Sequence, residues 1–316
     1  MKYAVQTQSL TKQYKATIAV NNIDINVPEG CCCGFLGKNG AGKTTTIKML
    51  VGLIRPTGGK IHMMGQEQCF GQQSTAVFGY LPDVPNFYSY MTGEEFLTLC
   101  ARICKIPPKE AKQRIKELLE LVGLGKTRTP ISGYSRGMKQ RLGIAQAMIN
   151  NPKVIFMDEP MSALDPMGRR DVAEIISSLK GTTVIFSTHI LADIENVCDH
   201  ILIIEKGKIY AQDTMAGLRQ KHSDNTLKIR FFDEGDAKLF YNKAAENGLE
   251  ISATIQPQEL LLRTKTGQME TLSRTATGII HTNNLAIESF SAHTPSLEDI
   301  FLQTISNAPK GDASNV

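Results

Sequence analysis

Residues 37–44 read Gly-Lys-Asn-Gly-Ala-Gly-Lys-Thr, a match at every position to G-x-x-x-x-G-K-[ST]. The flanks agree with the motif. Residues 31–36 form a short apolar run suited to a buried strand. From Thr45 to Leu53 the spacing predicts a helix with Ile47, Leu50, Val51 and Ile54 along one face. A glycine loop between strand and helix turns backbone N–H groups and the positive end of a helix dipole toward one point. Gly37, Gly40 and Gly42 let the backbone approach a phosphate, with Lys38, Asn39, Ala41 and Thr45 completing the cradle. Lys43 is placed for the β/γ-phosphates and the Thr44 hydroxyl for Mg²⁺. A glycine turn of a Rossmann-like unit is the competing reading. With strand and helix both in place, the pattern implies a nucleoside triphosphate site on an α/β fold.

With 316 residues the chain has room for a large domain and a smaller one. Its 41% hydrophobic and 21% charged content are those of a globular protein. A net charge of +4 without a long Lys/Arg block gives no pointer to nucleic acid. No apolar run approaches the roughly 18 residues of a membrane helix, and the first residues do not resemble a signal peptide. The expectation is a cytosolic chain that meets a membrane only through a partner. Of the seven cysteines, Cys31, Cys32 and Cys33 alternate across a strand and cannot all bind one ion. Cys100 and Cys104 share a helix face but lack a second pair, so buried, reduced thiols are expected throughout.

Residues 4–10 and 19–27 alternate as strands and predict an antiparallel flank beside the core. Taken alone, Tyr14 between them is a surface-packing aromatic. Further strands are read at 58–65 and 77–81. Residues 84–135 change texture. A helix over 93–104 puts Phe96, Leu99, Cys100, Ile103 and Cys104 on one face. Another over 109–121 aligns Ile115, Leu118, Leu119 and Val122, begun by Pro107-Pro108 and stopped by Gly123.

A glycine-bearing turn at 131–137 then leads into a helix carrying Met138, Leu142, Ala145 and Ile149. The buried strand Val154-Ile-Phe-Met delivers Asp158 and Glu159 at its end. In doubly wound sheets ligands sit at the carboxyl ends of strands. Asp158 is therefore placed to hold Mg²⁺ and Glu159 to polarise an attacking water. A second buried strand, 182–188, ends at His189. Two readings of it stand, a satisfied polar residue or a partner of the γ-phosphate and water.

In this order the pieces resemble the ATP-binding subunit of ABC transporters over about residues 3–220. Residues 37–44 correspond to Walker A and Tyr134-Ser-Arg-Gly-Met138 to the signature. Phe156–Pro160 corresponds to Walker B with its catalytic Glu159, Ser162-Ala-Leu-Asp165 to the D-loop, and His189 to the switch histidine. The resemblance implies a P-loop NTPase core with a RecA-like parallel sheet, an antiparallel β flank and a helical insert at about 84–150, all within an ATP-binding domain of residues 1–220. It makes Tyr14 the adenine-stacking aromatic. It also implies an ATPase using ATP and Mg²⁺, with Lys43, Glu159 and His189 in the catalytic set. Two copies would form a homodimer, Ser135 and Gly137 of one donating to the γ-phosphate of the ATP held by the other, and Asp165 of the D-loop would belong to the nucleotide-binding set. That dimer would power a separate integral-membrane permease from the cytoplasmic face, with no nucleic acid expected. The helical insert would be the permease-docking surface.

Two departures from the family pattern stand out. Arg136 replaces a glycine of the signature, which places either a charge near the partner's phosphates or a solvent-facing side chain. Asp83, in Gly79-Tyr-Leu-Pro-Asp83, stands where the family has the Q-loop glutamine. An acid still accepts from metal-bound water but cannot donate as an amide does, so Asp83 is read as metal-linked, and it inclines the reading toward export. The alternative is a soluble ABC-type ATPase of translation or DNA maintenance. The chain has neither the second ATP head of the former nor the coiled-coil heptads of the latter. A P-loop kinase would explain neither the signature turn nor His189.

Beyond the head, residues 221–306 predict β-α-β-β-α-β, a ferredoxin-like α+β accessory domain, then a helix with Ser296 as N-cap. Such an extension resembles those of exporter-type ABC ATPases, with dimerisation or regulation as its expected role. Residues 307–316 read as a flexible polar tail.

Overall fold

The computed structural model describes residues 2–68, 78–162, 164–222, 226–247, 249–263, 269–292 and 296–306. Val77, Ala163 of the D-loop, Pro295 and the expected tail at 307–316 lie outside them. The chain divides into two compact units, one running to Met215 and a second over Ala216–Gln303.

The first unit opens with β1 (Tyr3–Tyr14), β2 (Thr17–Ile23) and β3 (Asn26–Pro28). The stretch read from sequence as one strand over 19–27 is thus two, separated at 24–25, where Asp24 accepts the Ser9 N–H. Next come β4 (Cys32–Leu36), α1 (Lys43–Leu50), β5 (Gly58–Met63), β6 (Gln66–Glu67) and β7 (Phe78–Leu81). The insert contributes α2 (Gly93–Ile103) and α3 (Pro108–Leu121), followed by α4 (Arg136–Met148). The core resumes with β8 (Val154–Met157), α5 (Pro166–Ser178), β9 (Thr183–Thr188), α6 (Leu191–Val197), β10 (His200–Glu205) and β11 (Lys208–Thr214).

Two sheets result. One has the order β11-β10-β4-β9-β8-β7, parallel from β10 to β7 with β11 antiparallel at its edge. The other, β2-β1-β5-β6 with β3 also on β1, is antiparallel, as the alternating N-terminal segments predict. All of β8 and β9 is buried. Such strands are covered on both faces and read as continuous apolar runs, each large side chain stabilising the fold by about 1.5–3 kcal/mol.

The insert folds as expected except for one face. α2 begins with a capping box, Thr92 Oγ1 accepting from the Glu95 N–H and Glu95 Oε2 from the Thr92 N–H. It buries Phe96, Leu97 and Ala101, while Ile103 is 72% exposed and Cys104 is exposed. Of the predicted face Phe96 is buried and Cys100 packs against the core, while Leu97 and Ala101 join them in place of Ile103 and Cys104, so the buried stripe is rotated from the predicted one. On α3 the expected Ile115, Leu118, Leu119 and Val122 are all buried.

The second unit contains all but the first residue of α7 (Met215–His222), then β12 (Thr226–Phe231), α8 (Glu234–Glu246), β13 (Glu250–Gln256), β14 (Glu259–Arg263), α9 (Met269–Thr282) and β15 (Ile287–Ala292), and most of α10 (Leu297–Ser306). Its sheet has the order β13-β14-β12-β15, antiparallel throughout, the order of a ferredoxin-like unit. Phe231 and Phe240 lie at its centre. Ser296 caps α10, its Oγ accepting from the Asp299 N–H at 3.1 Å.

Candidate active site

β4 ends at Leu36 and α1 starts at Lys43, and the loop between them turns on Gly40 (φ 81°) and Gly42 (φ 109°). Only glycine tolerates these angles together with the local crowding. A Cβ at Gly42 would lie 2.7 Å from Ala19 O, and one at Gly37 would lie 2.4 Å from Ile204 O. The first turn of α1 thus points its free N–H groups into a cleft of about 460 Å³. Asn39, Gly40 and Gly42–Thr45 line one wall. Asp83, Glu159, Ser162 and His189 line the other, and Ala19 of β2 lies at the rim.

Lys43 is buried, its Nζ donating to Gly37 O at 2.8 Å and Lys38 O at 3.2 Å and pairing with Glu159 Oε1 at 3.2 Å. The other Glu159 oxygen, Oε2, lies 3.0 Å from His189 Nδ1. Glu159 itself has φ 48°. A side chain held in that region costs on the order of 1–3 kcal/mol and persists where its surroundings over-determine it. Here the Glu159 N–H donates to Ser187 Oγ at 2.8 Å.

Asp158 is 1% exposed, and its Oδ1 accepts from Ser187 Oγ at 2.6 Å and Thr44 Oγ1 at 3.1 Å. Neither hydroxyl carries charge, so the buried carboxylate could hold a cation. The donors gathered here are all oxygens, which fits a hard ion such as Mg²⁺. Across the cleft Asp83 Oδ1 accepts from Ser162 Oγ at 3.0 Å. The carboxylates act on Tyr80 as well. Burial first, then the charges of Asp158 and Asp83, push its phenol up to about 12.

Lys43, Thr44, Asp158, Glu159, His189 and Asp83 therefore converge, as do Asn39, Gly40, Gly42 and Thr45. Gly37, Lys38 and Ala41 shape the loop from outside the cleft lining. The remaining expected residues lie elsewhere. Tyr14, 47% exposed, sits at the tip of the β1–β2 hairpin with Lys12 Nζ 4.9 Å over its ring. Ser135 is the N-cap of α4, accepting the Met138 N–H at 3.2 Å, and Asp165 caps α5 through the Gly168 N–H at 3.0 Å. Ser135 and Arg136 are exposed, whereas Tyr134 turns into the helical core. Among the described residues none of 134–138 lines the cleft.

Sequence reading gives Ser187 no role and names Ser162 only as the start of the D-loop, without its contact to Asp83. Their signal was faint: a hydroxyl at the end of an apolar strand before His189, and another just after the acid pair.

Residues 20–162 match the protein family described as ABC transporter. The chain is 37% identical to the ABC transporter ATP-binding protein YxlF of Bacillus subtilis, over 94% of this chain and 98% of that protein. The chain belongs to the ABC transporter ATPase family. To the bacitracin transport ATP-binding protein BcrA of Bacillus licheniformis this ABC ATPase is 35% identical, over 98% of its own length and 100% of the relative's. With the daunorubicin/doxorubicin resistance ATP-binding protein DrrA of Streptomyces peucetius it shares 34% identity, over 98% and 94%. A solved ATP-binding subunit of an ABC transporter superposes with a TM-score of 0.62 at 31% identity, covering 69% of this chain and 92% of that one. No described helix is long and apolar enough to cross a membrane.

Proposed function

We propose that two copies of this ABC ATPase pair head to tail around two ATP molecules and drive a separate membrane permease in the direction of export. The observation that carries the catalytic reading is the meeting of Lys43, Glu159 and His189, with Nζ–Oε1 at 3.2 Å and Nδ1–Oε2 at 3.0 Å, at the open end of the phosphate loop. Loop N–H groups and Lys43 take the β- and γ-phosphates. The γ-phosphate competes with Glu159 for Lys43, which frees the carboxylate to accept a proton from the attacking water. His189 orients that carboxylate and can donate to the γ-phosphate. Thr44 and Asp158, with Asp83 nearby, would hold Mg²⁺, which would supply neutralisation of phosphate charge.

Head-to-tail pairing is supported by the separation of two parts. Among the described residues the phosphate loop lines a cleft to which the exposed Ser135–Arg136 turn does not contribute. The N–H groups at the start of α4 suit the γ-phosphate of ATP held by a partner. Asp165 and Tyr14 are proposed for the same interface and for the adenine. We place this chain on the cytoplasmic side of a membrane, bound through the permease to its helical insert, with domain limits near 220 and 306. The antibiotic names of BcrA and DrrA support export.

The test uses Glu159→Gln, which binds ATP and turns it over slowly. Tagged full-length protein is recovered with ATP from detergent-solubilised membranes of its own cells. A polytopic membrane protein in the complex supports the proposal. Ribosomal or DNA-repair proteins, with no membrane partner, would replace it with the soluble reading.

A further inference from the structure

At the other end of β4 from the phosphate loop, three side chains of different chemistry approach one another. Single ligand atoms of Cys31, Asp199 and His200 all lie within 4.8 Å of each other. Cys31 directly precedes β4, and His200 begins β10, its parallel neighbour, with His200 in register with Cys33. Backbone bonds lock the position from both sides, Asp199 N–H to Cys32 O at 3.1 Å and Met215 N–H to Asp199 O at 2.8 Å.

We propose that Cys31, Asp199 and His200 form a zinc site, with water as the fourth ligand. Sulfur, imidazole nitrogen and carboxylate oxygen from rigid strand ends are the donor set of a borderline-soft ion and not of Mg²⁺ or Ca²⁺. Asp199 Oδ1 accepts the Cys32 N–H at 3.0 Å, an outer contact of the kind that holds a carboxylate ligand in place. It also lies 3.0 Å from His200 Nδ1, so ligand atoms are already gathered.

Exposure divides the set usefully. Cys31 is buried beneath, His200 is 25% exposed and Asp199 62%, leaving the fourth position open to water. Only Cys31 of its run can serve. Cys33 lies deeper in the same core, and Cys32 faces the opposite one with Cys198. On binding, the Cys31 thiol gives up its proton, which at present faces Pro28 O with Sγ at 3.2 Å. The ring proton that Nδ1 directs at Asp199 Oδ1 at 3.0 Å would move to Nε2 on binding, leaving the Nδ1 lone pair for the metal. Thiolate and carboxylate then balance the two charges of the ion.

Full-length, chelator-stripped and reduced protein is titrated with Co²⁺ without nucleotide. The expected result is a thiolate-to-cobalt charge-transfer band that saturates at one equivalent and is bleached by one equivalent of Zn²⁺. Cys31→Ser should remove the band, and His200→Ala should weaken Co²⁺ binding at least about tenfold. If Cys31→Ser fails to fold, Asp199→Asn combined with His200→Ala, which keeps the thiol, decides the matter by the same loss. Absence of the band overturns the proposal. So does a band whose affinity is unchanged in the Asp199 and His200 variants, since that would place the metal on other cysteines.

Discussion

Ser187 Oγ donates to Asp158 Oδ1 at 2.6 Å, and the same oxygen accepts the backbone N–H of Glu159 at 2.8 Å. One hydroxyl thus holds the buried carboxylate of Asp158 and the left-handed backbone of Glu159 beside it. Ser187→Ala leaves both without that partner, a loss of about 1–3 kcal/mol. If it falls on the transition state, kcat drops by roughly 5- to 150-fold. Steady-state ATPase assays check this, and a kcat within twofold of the parent would mean the bridge only supports the fold.

Glu159 faces Lys43 on one side and His189 on the other. Glu159→Gln removes the proton acceptor and also the charge that competes with triphosphate for Lys43. Turnover should fall by about 10²–10⁴ while ATP affinity is kept or raised. Fluorescent-nucleotide titration beside single-turnover hydrolysis separates the two effects. Loss of ATP binding would show that Glu159 serves mainly to hold Lys43.

Asp83 is tied to the D-loop through Ser162. Asp83→Ala should raise the Mg²⁺ concentration needed for half-maximal ATPase and lower the rate, while Ser162→Ala should give a weaker form of the same change. Mg²⁺ titrations of both variants test it. Unchanged Mg²⁺ dependence and rate in Asp83→Ala would end the metal-linked role.

Tyr134, where the family signature has leucine, is 5% exposed, and its buried hydroxyl has no hydrogen-bond partner among the described residues. Removing an unsatisfied buried group recovers desolvation energy. Tyr134→Phe should stabilise the chain by about 1 kcal/mol, read as a higher Tm or urea midpoint. Destabilisation would mean the hydroxyl has a partner in solution.

The thiols give a pH dependence. Burial first, then neighbouring Asp199 and Cys32, pushes Cys31 up to about 12, and burial pushes Cys100 up to about 11. Both values lie above the ordinary 9.0. Their stabilising contribution is therefore whole below pH 9 and is lost as pH rises toward the folded values. Urea midpoints should hold level to about pH 8.5 and fall above it. Alkylation near pH 8 should reach exposed Cys104 ahead of Cys31, as peptide mapping would show.

Local spacing carried most of the head. The phosphate loop, the Asp158–Glu159 strand end and the helix of α3 were legible because each is a short-range pattern of turn, period or apolar run. The β-α-β-β-α-β order of the second unit was legible for the same reason. What the sequence left open was set by contacts between distant segments. The buried face of α2 depended on which neighbours it meets. Ser187 gained its place only when β9 paired with β8, bringing its hydroxyl beside residues 29 and 28 positions earlier in the chain. Tyr134 turned inward while Ser135 stayed exposed, a choice made by the packing of α4 against the insert. Periodicity and motif determine what a segment can become. Which hydroxyl reaches which carboxylate is decided by the pairing of strands, because a hydrogen bond needs about 3 Å and only the assembled sheet supplies it.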